Sequence, residues 1–264
     1  MTEIVSLKRK LDAEPESVVT NLELYLSGAS TLDAYFVNTQ PPSLQNWKEV
    51  FANKDGESKL LMTEFFDDAE CDYLYKLFEK LTLEVEPTFY MRMRPDRPCK
   101  MHRDVGFFSD SSAGYKYANQ TSAASPLRPE LQRLIDMVNV LCGSKFNGVL
   151  VNRYKSSGSI CAHSDNEKEL SPDVGVVALS VGAVRTMRFR EVLTKQQKAQ
   201  LKERKQLQPR TDVVMPNGSL MCMFGKKFQK LYTHEINPES ATATQKKKNE
   251  KQYRYSLTFR CHNN

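Results

Sequence analysis

In two stretches between residues 67 and 143 the apolar positions recur three and four apart, the period of a helix with one buried face. The stretch DDAECDYLYKLFEKL puts Leu74, Leu77, Phe78 and Leu81 on that face, with Asp67 placed to cap the N-terminus. RPELQRLIDMVNVLCG repeats the arrangement with Leu131, Leu134, Ile135 and Val138, and Gly143 stops it. After Phe146 the texture changes to short β-rich runs, FNGVLVNRY, GVVALSV, RTMRFR, TDVVM, SLMCMF, LYTHEI and YRYSLTFR, each bounded by Gly, Pro, Asn or Ser. Many short strands separated by turn signals predict a sandwich or jelly roll, braced by the two helices.

Two polar segments interrupt the strands. LTKQQKAQLKERKQLQPR (193–210) is basic and helix-prone, and ESATATQKKKNEKQ (239–252) reads as a basic loop. Nearer the start, residues 1–57 combine charges, Pro15, Pro41 and Pro42 with apolar islands that hold no period. They predict a mostly disordered lead-in, with the globular domain spanning 58–264.

Composition narrows the class. The 264 residues are 40% hydrophobic and 27% charged, which fits a soluble globular protein long enough to bury a full core. No apolar run approaches the length of a membrane span and no signal-peptide pattern opens the chain, so an intracellular, reducing compartment is expected. Six cysteines without a CxxC pair argue against a zinc ribbon and against a disulfide framework. The net charge of +6 conceals a gradient, with 8 Lys/Arg against 17 Asp/Glu over residues 1–90 and 17 against 6 over residues 185–254. A basic half is the electrostatic footprint of a polyanion partner, nucleic acid first.

Candidate chemistry centres on VNRYKSSGSICAHSDNEKEL, residues 151–170. His163 and Asp165 are two apart and share a side of an extended segment, so both can grip one ion. His234, in LYTHEINP at the end of a predicted strand, is placed to complete the set. Two His and one carboxylate on one face of a metal is the donor set of non-haem Fe(II) oxygenases, with zinc as the rival. An open-faced iron needs a chelating co-substrate. In YRYSLTFR, Arg254 and Arg260 are six apart and share a strand face with Ser256 and Thr258. Two guanidiniums on an inward face are costly unless carboxylates meet them; 2-oxoglutarate would meet one while its keto-acid end chelates the metal. Asn152 and Tyr154, also two apart, would offer an amide and a phenol to the same ligand.

In this order, N-x-Y, H-x-D, H and R-x5-R closely resemble the AlkB family of Fe(II)/2-oxoglutarate dioxygenases, which repair N-alkylated bases. The likeness runs from FYMRMR at 89 to the C-terminus, and FNGVLVNRYKSSGSICAHSDNEKEL, LSVGAVRTMRFR, NGSLMCMF and YSLTFR resemble the eukaryotic nucleic-acid demethylases of that family. The resemblance implies an α+β fold built on a double-stranded β-helix (jelly roll, about 146–264), with support helices and a nucleotide-recognition lid (about 89–120). It implies a catalytic Fe(II) held by His163, Asp165 and His234, with Arg254 on the distal carboxylate of 2-oxoglutarate and Asn152, Tyr154 and Arg260 completing the pocket. Glu167, in HSDNE, matches the family's acidic residue beside the substrate base. HRDVGFFSDSSAGYKY resembles the lid, with Arg103, Phe108, Asp110, Tyr115 and Tyr117 at the matching positions. Here His102 stands for the family's proline, Ser109 for its glycine, and the loop to Gly114 is longer. An extruded base needs an aromatic face and a polar edge, and Tyr117 opposite the His163 ring is expected to form that sandwich.

The implied reaction is oxidative demethylation of bases such as N1-methyladenine and N3-methylcytosine, with release of succinate, CO2 and formaldehyde, in DNA repair. Glu167 would favour a cationic lesion, and the lysines within 226–230 and 246–251 would hold phosphates. Competing readings are an RNA demethylase, a 2-oxoglutarate oxygenase with a non-nucleic-acid target, and a catalytically silent nucleic-acid-binding module. A monomer without a membrane partner is expected.

ASTLDAYF, residues 29–36, places Leu32, Tyr35 and Phe36 on one side of a short helical turn. It resembles the motif by which replication and repair proteins dock on the sliding clamp, with Ala29 in place of the usual glutamine. The other reading of these residues is an apolar patch that packs back on the enzyme. With LKRK at 7–10 as a weak nuclear address, clamp docking would point to DNA in the nucleus.

Overall fold

The computed structural model describes residues 20–36, 47–91, 94–117, 120–165, 175–238 and 253–262, without the side chains of Met91, Arg94, Pro95, Tyr117 and Gln120. The first elements are α1 (Asn21–Ser27), α2 (Leu32–Phe36), β1 (Lys48–Ala52), β2 (Lys59–Glu64) and α3 (Asp68–Glu79). Then come β3 (Thr88–Met91), β4 (Arg94–Lys100), β5 (Asp104–Phe108), β6 (Gly114–Tyr117), β7 (Gln120–Ala123) and α4 (Pro129–Cys142). The core strands follow as β8 (Gly148–Tyr154), β9 (Ile160–His163), β10 (Val176–Gly182) and β11 (Arg185–Glu191). The last are α5 (Lys195–Glu203), β12 (Thr211–Met215), β13 (Ser219–Phe224), α6 (Phe228–Leu231), β14 (Tyr232–Ile236) and β15 (Arg254–Arg260).

The strands build two antiparallel sheets. The larger runs β1-β2-β13-β10-β15-β8-β5 and the smaller β12-β11-β14-β9, and two hairpins, β3-β4 and β6-β7, stand apart. Between the sheets, Val176, Ala178, Met221 and Met223 of the larger meet Met187, Phe189, Val213 and Ile236 of the smaller in one buried cluster. This is the jelly roll expected from the strand pattern. The larger sheet is buried on both faces, because its odd β10 and β15 positions, Val177, Leu179, Tyr255, Leu257 and Phe259, pack under the helices. That explains why these strands read as apolar runs rather than as a clean alternation.

Helices α3 and α4 form that outer layer. α3 starts at a capping box in which Asp67 accepts from the Glu70 amide and Glu70 accepts from the Asp67 amide. Its buried residues include Leu74, Leu77 and Phe78. α4 begins with Pro129, which needs no amide partner in the first turn, and ends at Gly143 with φ 59°, a left-handed conformation that suits glycine. No described helix is long and apolar enough to cross a membrane.

The segment before residue 58 departs from the expected lead-in. Residues 20–36 and 47–52 belong to the fold: β1 pairs with β2, and Leu22, Tyr25 and Leu26 of α1 are buried in the helix-layer core. Tyr25 Oη donates to the Arg133 carbonyl at 2.9 Å while Arg133 Nη1 donates back to the Tyr25 carbonyl at 3.1 Å, which locks α1 onto α4. Seven-residue α1 and five-residue α2 are too short to show a period in sequence, yet α1 buries one face against α4 and α3, and α2 buries Tyr35 against α1 and Glu70 of α3.

The same packing bears on the clamp-docking expectation. Tyr35 is 3% exposed and its hydroxyl donates to Glu70 Oε1 at 3.0 Å, and Leu32 and Phe36 pack against the same core. Of the two readings, the packing favours the patch that packs back on the enzyme, with the Tyr35 ring covered and Leu32 and Phe36 half-buried. LKRK at 7–10 lies outside the described residues.

If residues 20–36 are part of the cooperative unit, Leu26→Ala will lower the unfolding free energy by about 2–5 kcal/mol. Urea denaturation measures this, and an unchanged midpoint would detach the segment from the fold.

Candidate metal centre and co-substrate pocket

His163 ends β9, Asp165 follows two residues later, and His234 sits on β14 directly across from His163 in the sheet register. One donor atom from each of the three lies within 4.8 Å of the others. His163 Nε2 is 3.7 Å from Asp165 Oδ1, and His234 Nε2 is 3.8 Å from Asp165 Oδ2. Two local bonds hold the ligand loop. The Ser164 hydroxyl donates to the Tyr232 carbonyl at 2.9 Å, and the Asp165 amide donates to Gln229 Oε1 at 2.9 Å. His163 Nδ1 lies 2.9 Å from the Cys161 carbonyl, and with the proton on Nδ1 its Nε2 keeps a lone pair toward Asp165.

The electrostatics suit a cation. Burial, with His163 adding to it, pushes the His234 imidazole down to about 3, so it stays neutral and able to coordinate. Burial would raise the Asp165 carboxyl, but Arg260 first and then the two imidazoles outweigh it and hold the group below the usual carboxylate range. Arg260 Nη2 donates to Asp165 Oδ1 at 2.8 Å with both side chains almost fully covered. Two imidazoles and an ionised carboxylate converging on one point fit a divalent metal of the Fe(II) kind.

The co-substrate end is set by the period of β15. Arg254, Ser256, Thr258 and Arg260 face the inter-sheet side because Tyr255, Leu257 and Phe259 are held in the helix core. Ser256, Thr258 and Arg260 line a cavity that also exposes all three metal donors, with Asn152 and Tyr154 contributed by the neighbouring β8. Arg254 lies beside them, 0% exposed. Its Nη2 donates to Ser180 Oγ at 2.9 Å and Ser256 Oγ at 3.3 Å, while Nε and Nη1 have no partner and no described carboxylate pairs with it. Burial lowers its pKa to about 10, and its guanidinium lies 5.6 Å from the centre of the Tyr154 ring. An unpaired buried guanidinium costs folding free energy unless an anion meets it. Asp165 is the sole carboxylate among the described cavity-lining residues, against Arg103 and Arg260.

The lid residues divide by strand parity. β5 pairs with β8 so that Val105 lies opposite Asn152 and Phe107 opposite Leu150, which turns Arg103, Val105 and Phe107 toward the cavity side. Arg103 is buried and its Nε donates to Asn152 Oδ1 at 2.8 Å, so it reaches the co-substrate end. Tyr115 lines the cavity, with the Arg260 guanidinium 4.9 Å from the centre of its ring. Phe108 is corrected. It faces the opposite side of β5 and is buried in the helix-layer core, where no base can reach it. Asp110 accepts from the Leu127 amide at 2.9 Å and ties the loop to the start of the α4 region. The Tyr117 side chain and Glu167 lie outside the described residues, as does 246–251. Lys227 is engaged with Glu57 at 3.0 Å.

Four further residues act on the site. Ser180 holds Arg254, and its signal was a lone hydroxyl in the apolar run VVALSVG, directly opposite Ser256 in the sheet. Phe107 packs against Tyr115, with ring centres 6.0 Å apart. Gln229 holds Asp165, and nothing in FQKL announces it. Arg185, 3% exposed, donates to the carbonyls of Lys155, Gly158 and Asn237, stapling the β8–β9 loop to the end of β14 and so fixing both metal-bearing strands.

Human DNA oxidative demethylase ALKBH2 is 34% identical over 132 residues, which cover 48% of this chain and 49% of that protein. The Arabidopsis thaliana protein of the same name is 28% identical over 183 residues, covering 62% and 54%. The chain thus matches about half the length of these curated relatives. The solved structure of OsALKBH1 aligns over 77% of this chain and 96% of its own with a TM-score of 0.49 at 15% identity. The model of the 2OG-Fe(II) oxygenase superfamily matches residues 60–260, from β2 to the last residue of β15. The chain therefore belongs to the 2OG-Fe(II) oxygenase superfamily, whose cofactors are Fe(II) and 2-oxoglutarate, and its likeness within it is to the AlkB-type enzymes.

Proposed function

We propose that this chain is an oxidative demethylase of N-alkylated bases in nucleic acid, acting on lesions such as N1-methyladenine and N3-methylcytosine in DNA repair. The observation that carries the reading is the meeting of a His/Asp/His donor set with Arg254, a buried cation that no described carboxylate neutralises. The choice of substrate rests on relatives that are DNA oxidative demethylases by name, and on the basic balance of residues 185–254. A nuclear location accords with that role.

His163, Asp165 and His234 would hold Fe(II), and Arg254, with the Ser180 and Ser256 hydroxyls, would take the far carboxylate of 2-oxoglutarate. When bound, this pair and O2 supply the oxidation of the N-methyl carbon, with succinate, CO2 and formaldehyde released and the base restored.

The chain's own work is binding, orientation and exclusion of water. Arg260 keeps Asp165 ionised and fixes one of its oxygens. Arg103 occupies Asn152 Oδ1, which leaves the Asn152 amide protons for a ligand oxygen. His234 and Asp165 are 5% and 4% exposed, so side reactions with bulk water are restricted. A methylated base that has lost its pairing face costs less to extrude than a normal one, and Tyr115, with Tyr117 and Glu167 by family resemblance, would receive it. The same site would serve an RNA demethylase, and the assay below ranks the two.

Incubated with Fe(II), 2-oxoglutarate and ascorbate, the wild-type chain will remove the methyl group from single- or double-stranded DNA carrying either lesion, and His163→Ala will not. Mass spectrometry of DNA and RNA products side by side sets the preference. Turnover of 2-oxoglutarate to succinate with no oligonucleotide converted would move the target elsewhere.

Arg254→Met will raise the KM for 2-oxoglutarate about 10- to 100-fold, the worth of a charge-assisted hydrogen bond of roughly 1.5–3 kcal/mol. Because it removes an unpaired buried cation, the ligand-free variant will melt at or above the wild-type temperature while losing the upward shift that 2-oxoglutarate gives. A large fall in ligand-free stability would instead make Arg254 a structural residue.

A further inference from the structure

Two hydrogen bonds that fix the loop carrying Asp165 come from one short stretch of chain. Gln229 Oε1 accepts from the Asp165 amide and the Tyr232 carbonyl accepts from the Ser164 hydroxyl, each at 2.9 Å. The Gln229 amide is itself oriented, since its Nε2 donates to Met223 Sδ at 3.4 Å and leaves Oε1 turned to the loop. The stretch, residues 228–232, is α6 and the first residue of β14. A single helical turn of four residues cannot hold its own shape and depends on what packs against it.

What packs against it is β1. The Phe51 ring is stacked 6.1 Å from Phe228 and meets Tyr232 edge-on at 5.1 Å, so it covers the aromatic side chains at both ends of the stretch. It also meets Phe189 edge-on at 5.4 Å, and the Phe189 ring lies 5.9 Å from that of His234. A bulge puts Phe51 there. Glu49 pairs with Leu61 but Phe51 pairs with Leu60. The extra residue turns Phe51 from the helix-layer side, which Leu61 faces, to the inter-sheet side, which Leu60 faces. The β1–β2 turn adds a second hold. Glu57 Oε2 accepts from Lys227 Nζ at 3.0 Å, and the Glu57 carbonyl approaches Gly225 so closely that no Cβ would fit.

β1 ends before residue 60, where the superfamily match begins, and it is the outermost strand of the larger sheet. Bulges beside active sites re-aim a side chain. Here the side chain so re-aimed backs the elements that carry or hold two of the three metal donors, Asp165 and His234.

We propose that β1 is a brace for the metal site. Phe51 sets the stretch 228–232, which through Gln229 and the Tyr232 carbonyl positions Asp165 and so governs the affinity for the divalent metal. Gln229 acts as a positioning residue, because it bonds the Asp165 backbone and not the carboxylate. The inference concerns the His/Asp/His site alone and holds whichever base or polymer is the substrate.

The test is equilibrium binding of Mn(II) alone to the metal-free chain, read as loss of the free-ion EPR signal, with urea unfolding of the same samples. Gln229→Leu keeps the bulk of the side chain but offers no acceptor, and it will raise the Kd about 10-fold, as loss of a ligand-orienting partner does. Phe51→Leu stays apolar but loses the ring contacts, and it will raise the Kd by a smaller factor. Gln229→Glu, still an acceptor for the Asp165 amide, will bind Mn(II) at least as tightly as wild type. Combined, Phe51→Leu and Gln229→Leu will weaken binding by less than the product of their separate factors, since one acts through the other. Leu26→Ala, which loosens the helix layer on the far face of the larger sheet, will lower stability and leave the Kd at its wild-type value. An unchanged Kd in Gln229→Leu overturns the proposal. So does a rise in Leu26→Ala equal to that in Phe51→Leu, which would make the effect a general loss of stability. No oligonucleotide enters the measurement, so failure of the demethylase reading leaves its result intact.

Discussion

The contact on which the site depends is the buried ion pair between Arg260 and Asp165, 2.8 Å long and shut off from solvent. It joins the centre of the larger sheet to the loop that leaves the smaller one. Asp165 without a cation beside it would be driven toward its protonated form by burial and would lose its value as a ligand. With Arg260 in place the carboxylate is ionised and oriented before any metal arrives. The same guanidinium borders the cavity and lies over Tyr115, so one side chain touches a metal donor, the co-substrate pocket and the lid together.

The ion pair is held by layers that reach far from it. β15 stays in register because Tyr255, Leu257 and Phe259 are gripped by the helices, and the helices are themselves braced by α1 through the reciprocal Tyr25 and Arg133 bonds. On the other side, Arg185 staples the loops of both metal-bearing strands with three bonds to backbone carbonyls. The functional groups thus stand on a rigid frame and not on independent loops, which is what keeps donor atoms within a few ångströms of a working geometry.

How much of this was legible in the sequence follows from which physical signal each part carries. α3 and α4 are long enough for their apolar stripes to show, and the six-residue spacing of Arg254 and Arg260 placed them on one face of a strand. His163 and Asp165 were fixed by the same even-spacing rule, and His234 by its scarcity, as one of four histidines. α1 and α2 were missed because seven and five residues hold too few turns to establish a period, and tertiary packing supplies what propensity does not. Phe108 shows resemblance overriding geometry. It is five residues from Arg103, an odd number, and a single strand cannot turn both to the same cavity. Gln229 and the burial of Tyr35 depend on contacts between distant elements, which no local pattern encodes.

The alternation along β15 also bears on how the chain finds its structure. A slip of one residue against β8 or β10 would carry Arg254 and Arg260 into the helix-layer core and turn Tyr255, Leu257 and Phe259 into the polar cavity. Such a misaligned intermediate would bury two unpaired charges at once and could not persist. The arginines retained for an anion therefore also act as a register check during folding, rejecting the wrong pairing before the sheets close.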